Sequence, residues 1–225
     1  MTDTTRPWTA FYGPNVRSEI EATQYRTIGD MVSATANLYG KSPAFTACLP
    51  NGMNGSLSFA QVDEMSDALA VYLRETAGLN KGDRVALQVP NGLSFPVAAF
   101  AVFFPAMPRG IVRLVQKHWD RTLAPVTLPH IRFPAAIAAG REKQASDRIT
   151  ADQYSAEITP DDIACLQYTG GTTGVSKGAM LTHANLLMNM EQSMEMISGV
   201  EKGREVALTA LPLYHIFAFT VNLLG

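Results

Sequence analysis

Nine residues, Thr169-Gly170-Gly171-Thr172-Thr173-Gly174-Val175-Ser176-Lys177, restrict what this chain can fold into more than any other stretch. The glycines let the backbone take left-handed conformations and turn successive N–H groups into a concave anion nest. Threonine hydroxyls add donors, and Lys177 adds a compact positive charge. Ile163-Ala164-Cys165-Leu166-Gln167-Tyr168 just before it reads as a strand, so the turn sits at a strand end. The combination suits a polyphosphate. It is not a Walker A loop, because Val175 and Ser176 separate Gly174 from Lys177. Nor does it have the glycine spacing of a dinucleotide turn.

Upstream, the hydrophobic period switches between helix and strand. Ile28, Met31, Val32 and Leu38 predict a helix over 28–39, with Gly40 placed to end it. Pro43 to Cys48 reads as a strand, and Asn51-Gly52 and Asn54-Gly55 favour a turn back into 56–58, a hairpin. Ser58 and Gln61 form a capping box for a helix with Phe59, Val62, Met65, Leu69 and Leu73 on one face and Gly78 at its close. Lys81-Gly82-Asp83 turns into 84–89, a strand of buried character, and Pro90-Asn91-Gly92 turns into a helix from Ser94 to about Phe103. This alternation begins an α/β layered domain.

There the pattern breaks. A βαβ unit carries its helix into another buried strand. Here Phe103-Phe104-Pro105-Ala106-Met107-Pro108 runs directly into a basic segment, and the return strand is missing. Arg109, Arg113, Lys117 and Arg121 lie four apart, a cationic stripe on a helix. Such a stripe reads as a solvated face or, alternatively, as a peripheral contact with an anionic membrane. Pro125, Pro129 and Pro134 make 123–140 irregular, and polar 141–152 reads as an exposed connection.

With 47% apolar and 17% charged residues the chain is expected to be globular and not disordered. Its 18 Lys+Arg against 20 Asp+Glu give no net pull toward nucleic acid. Cys48 and Cys165 stand in no paired ligand spacing, which fits a reducing, cytoplasmic setting. Met1 to Pro7 lacks the apolar run of a secretory signal. Two apolar stretches, 95–107 and 206–225, read as buried segments and not membrane spans: the first is short, and the second holds Pro212, Tyr214, His215 and Asn222.

The stretch Leu166 to Lys177 resembles, position by position, the AMP-binding signature of the acyl-adenylate-forming superfamily. Gly178 to Leu186 looks like the segment that follows it there, and Leu211-Pro212-Leu213-Tyr214-His215-Ile216-Phe217 resembles the motif bordering the acyl pocket. Leu57-Ser58-Phe59 and Lys81 to Ala86 resemble N-terminal landmarks of the family, and 167–179 looks closest to long-chain fatty acyl-CoA synthetases. The resemblance implies a layered α/β/α/β/α large domain, of which 1–225 is an incomplete N-terminal portion. It implies an acid–thiol ligase: a fatty acid carboxylate attacks ATP, giving acyl-AMP and pyrophosphate, and CoA then displaces AMP. ATP, Mg²⁺ and CoA are the implied cofactors or cosubstrates.

In this family Tyr168, Thr169, Gly170, Gly171, Thr172, Thr173, Gly174 and Lys177 would hold ATP, with Thr169 also near Mg²⁺. His215 would sit beside the carboxylate and the reacting phosphate, and Tyr214 near the acyl site. Taken alone, His215 also fits a hydrogen-bonded turn histidine. His183 is expected to be structural, at a helix start, and Cys165 to be core. Two departures from the family stand out. An internal deletion is expected near 103–109, between an N-terminal part (about 1–103) and a phosphate-loop part (about 153–225). The family's later Mg²⁺-binding glutamate, ribose-binding aspartate and small C-terminal domain are not among these residues. The chain is therefore expected to be inactive alone, marginally stable, with exposed sheet edges open to association. A non-catalytic nucleotide- or phosphate-binding or interaction module, an active minimal ligase and another adenylate-forming ligase are the competing readings.

Overall fold

The computed structural model describes residues 6–49, 51–87, 89–103, 131–169, 177–197 and 200–225. A 3₁₀ turn at Pro7–Phe11 precedes helix α1 (Ile28–Tyr39). The hairpin β1 (Pro43–Cys48) and β2 (Asn54–Ser58) follows, then α2 (Phe59–Val71), which runs on as a π-helical turn, Tyr72–Thr76. Next come α3 (Ser94–Phe103), α4 (Phe133–Asp147) and the short α5 (Asp152–Ser155). Then β3 (Ile163–Thr169) and β4 (Lys177–Thr182) lead into α6 (His183–Met196). The chain closes on α7 (Ile216–Ala218), extended by a π turn at Phe219–Leu224.

Three helices start on the same device. Thr27 with Asp30, Ser58 with Gln61 and Thr182 with Asn185 form reciprocal capping boxes at α1, α2 and α6, satisfying N–H groups that a first helical turn leaves free. The β1–β2 hairpin pairs Phe45 with Leu57 and Cys48 with Asn54, and Gly52 at φ +83° makes its turn as the Asn-Gly pair predicts.

The core is organised around α3, which is buried at every position from Phe95 to Phe103. Next to it lies α2, whose buried Ser66 hydroxyl donates to the Val97 carbonyl at 3.2 Å. On another face α2 meets α4, where Gly140 sits against the backbone of Ala68. The expected irregular run over 123–140 is therefore corrected, within the described residues, by a helix of 15 residues that continues to Asp147, while the exposure expected of 141–152 holds for most of its residues. Pro134 falls in its first turn, where a missing N–H costs nothing, and Ala136, Ile137 and Gly140 give it a side to bury.

Two further expectations fail together. Arg84 to Leu87 joins no ladder beyond an isolated bridge at Arg84, with Arg84 and Ala86 exposed and Val85 and Leu87 half-buried. Among the described residues the ladders are β1–β2 and β3–β4, both antiparallel. The stretch from Val206 is buried only in part: Val206 is 96% and Leu208 92% exposed, and burial resumes at Leu213 and again from Ala218. A strand is buried on both faces only when other elements flank it, and among the described residues neither segment pairs into a ladder. Among the described residues no helix is long and apolar enough to cross a membrane. The cationic stripe Arg109, Arg113, Lys117 and Arg121 and the junction near 103–109 lie outside the described residues beyond Phe103.

Two stability predictions follow from the α2 contacts. A Cβ at Gly140 would land on the Ala68 carbonyl, so Gly140→Ala is expected to lower stability by about 2 kcal/mol despite its better helix propensity, read as a urea midpoint shift. On α2, Asp67 Oδ1 is buried without a hydrogen-bond partner among the described residues. Burial, with Asp63 and Asp152 adding repulsion, pushes its carboxyl up from 3.8 to about 7. The folded state thus keeps a proton that the unfolded chain gives up, and this group costs stability as pH rises from 3.8 through 7. Asp67→Asn should raise the urea midpoint at pH 8, and the gain should vanish below pH 3.8.

Candidate functional site

The antiparallel ladder of β3 and β4 pairs Cys165 with Leu181, Tyr168 with Gly178, and Thr169 with Lys177. The two ends of the glycine–threonine segment are thereby brought face to face across the strand ends. Gly170, Gly171, Thr172, Thr173 and Gly174 lie outside the described residues, as do the side chains of Thr169 and Lys177. Tyr168 is 60% exposed, and its ring covers Gly178: a Cβ there would come within 3.0 Å of the phenol carbon. Glycine at 178 therefore gives the ring its place beside the ladder end. Cys165 is partly buried against the core, and burial pushes its thiol up, so it stays protonated and packs as a small apolar group.

The hairpin is tied to the N-terminal helices at its base. Lys81 Nζ donates to Asp162 Oδ2 and to the Glu157 carbonyl, both at 2.6 Å. Asp162 Oδ2 also accepts from the Thr159 N–H at 2.7 Å and its hydroxyl at 3.0 Å. Partial burial pushes this carboxyl upward, but the Lys81 and Thr159 donors outweigh it and hold it below the ordinary carboxylate range. The Asp162 carbonyl in turn accepts the His183 N–H at 3.2 Å.

His183 is 1% exposed, and its Nδ1 accepts the Ile28 N–H at 3.2 Å. Its ring meets Phe103 edge-on, with centroids 6.0 Å apart. Burial lowers the imidazole from 6.5 to about 4, against the pull of Asp162 and Asp30. The expected structural role at a helix start is what the geometry assigns.

Tyr214 and His215 stand on a turn closed by the His215 N–H donating to the Pro212 carbonyl at 2.9 Å. His215 caps α7, with Nδ1 accepting the Phe217 N–H at 3.3 Å, so the neutral ring carries its proton on Nε2. Both side chains are exposed, Tyr214 to 65%. This turn is held from afar. Asn91 Nδ2 donates to the Leu211 carbonyl and Asn91 Oδ1 accepts the Leu213 N–H, each at 2.8 Å. Sequence reasoning missed Asn91 and the Lys81–Asp162 tie, because Pro90-Asn91-Gly92 and Lys81-Gly82-Asp83 signal only turns. Among the described residues no group of three or more His, Cys, Asp or Glu is placed to hold a metal ion.

The architecture is that of an adenylate-forming ligase, of which this chain holds an N-terminal portion. A long-chain-fatty-acid-CoA ligase from Archaeoglobus fulgidus superposes with a TM-score of 0.63 at 18% identity, over 93% of this chain and 47% of that one. At that identity the likeness speaks for the fold. The chain belongs to the AMP-binding enzyme family, whose pattern matches residues 32–107 and 113–225. It is 33% identical over 279 residues to a long-chain-fatty-acid–CoA ligase of Escherichia coli O6:H1 (strain CFT073), covering 96% of this chain and 47% of that protein. A Salmonella typhimurium (strain LT2) ligase of the same name is 32% identical over 274 residues, again covering 96% and 47%. The chain thus spans about half the length of these relatives. An alignment of 279 residues built on 96% of a 225-residue chain also includes stretches of the relative with no counterpart here.

The buried imidazole makes the junction of α1 and α6 sensitive to acid. The unfolded chain protonates near 6.5 and the folded one only near 4, so stability is expected to fall as pH drops through that window, by up to about 1.4 kcal/mol per unit. Urea unfolding in the Asp67→Asn background, free of the opposing carboxyl, should show this slope. Adding His183→Gln should flatten it.

Proposed function

We propose that this chain carries the ATP-phosphate-binding part of an acid–thiol ligase acting on fatty acids. The observation that carries the reading is the ladder pair Thr169–Lys177, which brings the two ends of the glycine–threonine segment together at the strand ends. Backbone amides and hydroxyls of 169–174 would cradle the β- and γ-phosphates with Lys177, the equipment expected where catalysis is positioning and charge neutralisation. A fatty acid carboxylate oxygen would then bond to the α-phosphorus as pyrophosphate leaves, and the CoA sulfur would bond to the acyl carbon as AMP leaves. His215, with Nε2–H directed away from its capping bond, would donate to the carboxylate or the reacting phosphate, and Tyr214 would flank the acyl chain. Mg²⁺ enters as the counter-ion of ATP, near Thr169. The names of the relatives, at 32–33% identity, support fatty acid and CoA as substrates.

The same reading puts an internal gap after α3. The interrupted family match between 107 and 113, the unladdered Arg84–Leu87 and the bare Val206 and Leu208 support it. The exposure of Tyr214 and His215 also leaves the reacting centre open to water, which favours binding without turnover in a polypeptide of these 225 residues. Calorimetry of this polypeptide with Mg-ATP is expected to give saturable heat, weakened about tenfold or more in Lys177→Ala. Pyrophosphate release with ATP and palmitate should stay at background. Absence of saturable heat would sink the phosphate reading, and robust Lys177-dependent release would sink the claim of incompetence.

A further inference from the structure

We infer that Asn91 is the positioning residue for the Tyr214–His215 turn, an inference that rests on the reading of His215 given above. Its carboxamide bonds in both directions to one short stretch, donating to the Leu211 carbonyl and accepting the Leu213 N–H, each at 2.8 Å. The side chain thus does for Leu211–Leu213 what a neighbouring strand would do. Pro212 between them has no N–H, so no donor is stranded by this arrangement. Leu213 is buried to 5% exposure, and the next turn closes on Pro212, so fixing Leu211–Leu213 sets where Tyr214 and His215 project.

The anchor on the other side is rigid. Asn91 precedes α3 by a turn whose Gly92 carbonyl accepts the Phe95 N–H at 3.1 Å, and α3 is buried from Phe95 onward. At the far end of α3, Phe103 meets Phe219 edge-on at 5.9 Å, just beyond α7. Helix α3 and the turn before it therefore hold the His215 segment at both ends, by the Asn91 carboxamide before it and by Phe103 ring packing after it. Only a carboxamide of this length serves the first grip: aspartate lacks the donor, and glutamine is one methylene longer.

Backbone amide exchange by NMR on the full 225-residue chain tests this. In Asn91→Ala the Leu213 amide should exchange about tenfold faster, with Leu69 and Val97 unchanged. Asn91→Asp keeps an acceptor, so it should restore most of the Leu213 protection. Unchanged Leu213 exchange in Asn91→Ala would overturn the inference, as would equal acceleration at Leu69 and Val97. The His215 imidazole resonances of the unaltered chain, followed as Mg-ATP and palmitate are added, should move, and should move less in Asn91→Ala. A resonance indifferent to both ligands in the unaltered chain would remove the functional reading, and with it the purpose assigned to Asn91, even if the exchange result held.

Discussion

The bond from the Ile28 N–H to the buried Nδ1 of His183 is the contact on which the arrangement of this chain depends. Ile28 opens α1 and His183 opens α6, so two helix N-termini meet at one ring. Each terminus has N–H groups without intrahelical partners, and burial makes an unsatisfied one costly. The capping boxes of Thr27 and Thr182 satisfy some of these, and His183 takes the Ile28 donor. A protonated imidazole has no acceptor to offer, so the contact exists only with the ring neutral, in keeping with its lowered pKa.

From that junction the geometry of the candidate site follows. Through its backbone, His183 also reaches Asp162 at the start of the hairpin, and Lys81 ties the same residue to the turn before Arg84. The β3–β4 ladder then carries Thr169 and Lys177 outward from this fixed base. Helix α3 plays the corresponding part for the second motif. It contacts His183 and Phe219 through Phe103, while the turn before it holds Leu211–Leu213 through Asn91. The two candidate segments thus hang from one buried framework, although more than thirty residues separate Lys177 from His215 in sequence.

What that framework lacks is as informative as what it holds. Val206 and Leu208 are large apolar residues with almost all of their surface in water, and Ala86 is exposed where a buried strand was expected. Apolar surface of this kind favours association, since burying it recovers about 25 cal/mol per Å². In the relatives the aligned region is longer than in this chain, and the break in the family match falls after α3.

Local chemistry was legible from sequence wherever it was written within a few residues. The box of Ser58 and Gln61, the Asn51-Gly52 turn, the helix over 28–39 and the strand over 163–168 all came from spacing, and the structure has each. The glycine–threonine–lysine run likewise pointed to the family, which the match over 32–107 and 113–225 shows. Elements that depend on distant partners were not legible. Arg84 to Val89 reads as a buried strand because its residues are apolar, yet a strand exists only with a neighbour to bond. The proline-broken run before Gly140 reads as irregular, yet α4 forms because Pro134 falls in its first turn and Gly140 fits against Ala68. Asn91 looked like any turn residue until folding brought Leu211 and Leu213 to its carboxamide. Short-range spacing specifies capping, turns and a family signature; which backbone groups find partners across the chain is settled only when the helices pack.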